Sequence, residues 1–103
     1  MFETIKVTGE KWFKDHQEKT NLIFDKDRKG RWYVSRYILW LGLDGKTIRD
    51  ITPKEDLKPI EVSENICCLM LGKFATDHEG IIKGIYRKDG IEMEFSANLR
   101  GLI

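Results

Sequence analysis

At 103 residues the chain is sized for one domain with a single hydrophobic core, and it is too short to enclose a ligand inside a barrel. An apolar content of 41% and a charged content of 34% fit a soluble globular chain, and no apolar run approaches the roughly 20 residues of a spanning helix, so no membrane role is expected. The net charge of +1 argues against a protein that lives mainly on polyanions.

The first residues, "MFETIKVTGEKW", mix acids and bases and lack the apolar stretch of a secretion signal, so the expected compartment is the cytoplasm. "ETIKV" (3–7) reads as the first strand. In the following "KWFKDH" (11–16), Trp12 and Phe13 point to opposite faces of an extended chain. One is expected in the core and the other in any exposed aromatic patch near residues 31–41.

"TNLIF" and "RWYVS" flank the glycine-containing loop "DKDRKG" (25–30) and read as a hairpin. A local basic excess sits here: Lys26, Arg28, Lys29, Arg31 and Arg36 are opposed only by Asp27. The loop also begins like a calcium loop, with Asp25, Asp27 and Gly30. Lys29 and Arg36 then occupy ligand positions, and a cation site cannot carry two cations.

Residues 31–41 are rich in rings. Aromatic and β-branched content predicts a strand, although a helix also fits. In a strand, Arg31, Tyr33, Ser35, Tyr37, Leu39 and Leu41 share one face, and Trp32, Val34, Arg36, Ile38 and Trp40 share the other. Asp44-Gly45 then predicts a hairpin pairing Leu43 with Lys46, Leu41 with Ile48, Trp40 with Arg49 and Ile38 with Ile51. Trp40 and Arg49 become a cross-strand cation–π pair. The Gly-Lys-Thr within "GLDGKT" is no phosphate loop, because Trp40 stands where the first glycine belongs.

"TPKEDLKP" (52–59) is bracketed by the two prolines and fits one short helical turn with Thr52 as N-cap, Pro53 at N1 and Glu55 at N3. "KPIEVS" (58–63) is a further strand. "NICCLMLGKF" (65–74) fits strand and helix equally. Its adjacent Cys67 and Cys68 do not staple a fold, and an apolar setting raises a thiol's pKa.

The last element, "IIKGIYRKDGIEMEFSAN" (81–98), has Asp89-Gly90 at a two-residue turn. That turn sets Lys88 against Ile91, Arg87 against Glu92, Tyr86 against Met93, Ile85 against Glu94, Gly84 against Phe95 and Ile82 against Ala97. Gly84 leaves room for the Phe95 ring. The whole chain is therefore expected to form one mainly β domain over 1–103. Its architecture is a small antiparallel barrel or sandwich of seven or eight short strands built from hairpins, with at most one short helix.

No nucleophile elbow or zinc-spaced Cys/His set is present, and no cofactor is expected. The expectation is a non-catalytic protein-binding module, inhibitory or accessory, whose surface is Lys26, Arg28, Lys29, Arg31, Trp32, Arg36, Trp40 and Arg49, suited to an acidic partner. One alternative is a barrel that stacks single-stranded nucleic acid on these rings. Another is a small hydrolase or metal-dependent enzyme built on His16, His78 and nearby carboxylates, should the two histidine turns meet. Exposed strand edges add a homodimer to the expectations.

Overall fold

A computed structural model describes residues 3–78 and 81–98. Among them are seven strands: β1 (Glu3–Trp12), β2 (His16–Lys26), β3 (Trp32–Gly42), β4 (Ile48–Asp50), β5 (Ile60–Val62), β6 (Ile81–Lys88) and β7 (Ile91–Asn98). One helix, α1 (Glu64–Asp77), stands between β5 and β6. All pairings are antiparallel, and the sheet order is β4-β3-β2-β1-β6-β7. β5 lies beside β4 along the outer side of β3, paired to residues 32–34. The sheet does not close on itself, so of the two expected architectures the layered one fits, with α1 as its second layer.

Turn chemistry sets the register. Asp89 and Gly90 both have positive φ, 53° and 78°, as the two-residue turn demands. Every pair expected for the last hairpin forms, including an Arg87–Glu92 ion pair at 2.7 Å. At Asp44-Gly45 the register is also as expected, but the turn is wider and Leu43 does not pair with Lys46. Only Gly45 has positive φ there. The Asp44 carboxylate instead accepts bonds from the Lys46 and Thr47 N–H groups and the Thr47 hydroxyl, and Gly42 N–H closes on the Thr47 carbonyl. Those donors, the Thr47 N–H foremost, hold the Asp44 carboxyl down at about 2.

Residues 65–75 resolve as helix. Ser63 caps α1, its hydroxyl accepting from Ile66 N–H at 3.2 Å. Cys67, Met70, Leu71, Phe74, Ala75 and His78 recur at helical spacing on the covered side. They pack on Val7, Leu22, Phe24, Val34 and Ile82 of the sheet. The turn at 52–59 is a single 3-10 turn, Lys54–Asp56, capped by Pro53 without a side-chain bond. Thr52 is not its N-cap: its hydroxyl accepts from Ile38 N–H at 2.8 Å and donates to Asp50 at 2.6 Å, tying β4 to β3.

Pairing places residues in transverse rows. Trp32, Val34, Arg36, Ile38 and Trp40 share the helix-bearing face with Leu22, Phe24, Val7 and Phe95. Tyr33, Ser35, Tyr37, Leu39 and Leu41 share the opposite, uncovered face with Ile23, Lys6 and Glu94.

Candidate protein-binding surfaces

The surface expected from sequence divides into two ends of β3. Lys26 and Trp32 are directly opposite at one end, and Trp40 and Arg49 at the other. Eight residues of strand separate these rows, roughly 26 Å at about 3.3 Å per residue. At the first end Trp32 packs against the core, with the Lys26 ammonium 5.6 Å from its ring. Arg31 is held by Asp27 at 2.9 Å, and Arg36 by Asp56 at 2.6 Å. Among the named cations only Arg28 and Lys29 project without a side-chain partner in the described residues. Two free cations give little phosphate affinity.

The other end is an aromatic tip. The Phe13 and His16 rings stack at 4.6 Å and 9°, His16 stacks on Trp40 at 5.3 Å and 19°, and the Arg49 guanidinium lies 5.1 Å from Trp40. His16 on β2 and Arg49 on β4 flank the strand that carries Trp40, so the expected cation–π pair is one layer of a longer stack. Trp12, Gln17, Leu41 and Ile48 form a row on the opposite face at the same end. Trp12 is 70% exposed, Ile48 63% and Leu43 59%. Neither Trp12 nor Phe13 enters the core, contrary to expectation: both lie at the edge of the last turn of α1, and among the described residues no element covers either ring. Phe13 does join the aromatic patch, through His16.

His16 is gripped by Glu18 at 2.8 Å on Nε2 and by Asp15 at 2.7 Å on Nδ1. The Glu18 bond, then the Asp15 bond, raises its pKa above the ordinary 6.5. A raised value means the charged clamp contributes fully below about 6.5 and is lost as pH rises through the higher folded value. An NMR titration of His16 should therefore show a midpoint above 6.5. Glu18→Gln should lower that midpoint more than Asp15→Asn, and a wild-type midpoint at or below 6.5 contradicts the clamp.

His78 sits elsewhere, under the end of α1. Its ring covers Gly9 and tilts on Phe74 at 4.3 Å. Nδ1 donates to the Phe74 carbonyl at 2.7 Å, and Nε2 is buried without a hydrogen-bond partner among the described residues. Among the described residues the two histidines have no ring or hydrogen-bond partner in common. Among the described residues no group of three or more His, Cys, Asp and Glu is placed to hold a metal ion. Cys67 is buried, and desolvation raises its thiol pKa. A groove of about 520 Å³ between α1 and β2–β3 is lined by Leu22, Ile38, Met70 and Phe74, with Arg36 and Asp56 also along it.

A third exposed surface lies on β7, the far edge of the sheet. Ile91 is 66% exposed, Met93 57% and Phe95 36%, all on one face. The alternation in "IEMEFSAN" carried the signal for a two-sided strand, but not for α1 stopping short of it. No family model, curated protein or solved structure matches this chain.

Proposed function

We propose that this protein is a non-catalytic protein-binding module that engages an acidic partner through its aromatic tip. The observation that carries the reading is Trp12, 70% exposed at the same end of the sheet as the Phe13–His16–Trp40–Arg49 stack and on the opposite face, so that apolar and aromatic groups wrap both sides of the tip. Trp and Arg are the side chains enriched where binding energy concentrates, and a stacked array is already ordered, so little rotamer entropy is lost on binding.

Charge supports the choice of partner. Three acidic groups at the tip are engaged within the molecule: Asp15 and Glu18 on His16, and Asp44 on its own loop. Lys11, Lys14 and Lys46 are exposed there, with no carboxylate partner among the described residues. An acidic segment with one or two large apolar side chains satisfies both features. Single-stranded nucleic acid is the weaker reading, because the basic cluster around Arg31 and Arg36 is largely paired within the molecule.

Selection from a displayed peptide library tests this. Sequences enriched on the wild-type chain should be acidic with an apolar anchor. Trp12→Ser should weaken them by about thirtyfold or more, the loss of a binding hot spot. Its melting should barely change, since an exposed side chain contributes little to stability. Basic or random enrichment, or affinity indifferent to Trp12→Ser, overturns the proposal. Tryptophan quenching by mixed-sequence single-stranded DNA or RNA that weakens steeply with salt favours the nucleic-acid reading instead.

A further inference from the structure

The two edges of the sheet are built differently. On the β3 side the edge strands β4 and β5 have three residues each, and the segment between them carries Pro53, Pro59, Lys54 and Lys58. Short strands, prolines and lysines are the devices that discourage edge-to-edge pairing. β7 has none of them. It runs eight residues without a bulge, and its sequence "IEMEFSAN" contains no lysine or proline. Among the described residues, β6 is its one strand partner.

The hairpin geometry says which backbone groups are free. A two-residue turn makes Lys88 and Ile91 the closing hydrogen-bonded pair, and bonded and non-bonded pairs alternate from there. Ile91, Met93 and Phe95 therefore bond inward to β6. The N–H and C=O groups of Glu92, Glu94 and Ser96 point outward.

We infer that β7 pairs antiparallel with β7 of a second copy of this chain, on a two-fold axis through Phe95. Opposed residues must lie on the same face of the merged sheet, so such an axis passes through a residue. Centred on Glu92 or Glu94, it sets that carboxylate against its own copy. Centred on Met93, it sets Glu92 against Glu94. Like charges directly opposed are unfavourable. Centred on Phe95, it sets Glu94 against Ser96 and Glu92 against position 98, with no carboxylates opposed; a centre on Ser96 also opposes none, but it pairs only residues 94–98 of the strand where Phe95 as centre pairs 92–98. Phe95 then meets Phe95 of the second copy in a non-hydrogen-bonded pair, where side chains approach most closely. The exposed Ile91–Met93–Phe95 strip is continued by the same strip of the second copy. This pairing uses no residue of the aromatic tip.

Sedimentation velocity of the full chain over a concentration series tests the register. The wild type should dimerise reversibly. Ser96→Glu opposes Glu94 of the second copy twice per dimer and should weaken association by about tenfold. Ser96→Lys makes two ion pairs and should tighten it by a similar factor, the gain fading in high salt. Within one chain position 96 faces Lys83, so an effect on hairpin stability alone runs in the opposite sense: glutamate helps and lysine harms. Glu94→Pro removes an outward N–H that β6 does not use, and should give a folded monomer by circular dichroism. A wild type that stays monomeric into the millimolar range overturns the inference. So does a dimer on which Ser96→Glu and Ser96→Lys act alike, or one that survives Glu94→Pro.

Discussion

Phe24→Ala is expected to lower folding stability by about 3–5 kcal/mol, measured as a shift in urea midpoint with unchanged slope. Phe24 has no accessible surface and sits in the row Val34–Phe24–Ile5–Tyr86, in the core cluster to which α1 contributes Phe74 and Ala75. Removing the ring takes away its transfer free energy and leaves a cavity. The surrounding backbone is strand on both sides and cannot collapse into it. Domains of this size are stable by about 5–15 kcal/mol, so the variant should be close to unfolding at ambient temperature. Trp32→Ala and Trp40→Ala should each cost less, because both rings are only half-buried. A Phe24→Ala loss below that of Trp40→Ala would mean that the core is not centred on β2.

Gly84→Ala is expected to cost about 1–3 kcal/mol, the range for overpacking. A Cβ at Gly84 would overlap the Phe95 ring and come within 2.8 Å of the Lys6 carbonyl oxygen on β1. The ring can swing outward, since Phe95 is on an edge strand. The carbonyl belongs to the β1–β6 ladder and cannot. Combining Gly84→Ala with Phe95→Leu should therefore recover part of the loss and not all of it. Full recovery in a double-mutant cycle would show that the side chain alone is responsible.

The hairpins were legible because their geometry is dictated locally. Asp-Gly at 89–90 requires positive φ twice, and once that turn is placed the pairing from Lys88–Ile91 to Ile82–Ala97 follows by counting. Residues 65–75 could be read as strand or helix alike, and the structure decides for helix. Ile66 and Leu69 are apolar and exposed, which blurs the helical stripe, and the Ser63 cap lacks the Glu or Gln three residues on that completes a capping box. Strand order was hidden too, because nothing local in "ETIKV" says that β1 lies between β2 and β6. For the candidate surfaces, the Trp40–Arg49 pair could be read from register. The pairing of Arg31 with Asp27 and of Arg36 with Asp56 could not: the first depends on loop conformation, the second on where a 3-10 turn settles against β3.

The central place of β1 also bears on how the chain reaches this state. Its contact with β2 closes on near neighbours, Thr8 against Asn21, whereas Glu3 meets Tyr86 across 83 residues. Joining β6 to β1 therefore carries roughly 1.5 kcal/mol more loop-closure entropy than joining β2. During synthesis the β1–β4 meander can form early, but its β1 side waits for the C-terminal hairpin. At about 5–20 residues per second, that wait lasts several seconds. For that time the strand at the heart of the finished sheet is an open edge in the nascent one. Slowing translation between β2 and β6 should lengthen its exposure to stray strands on neighbouring chains.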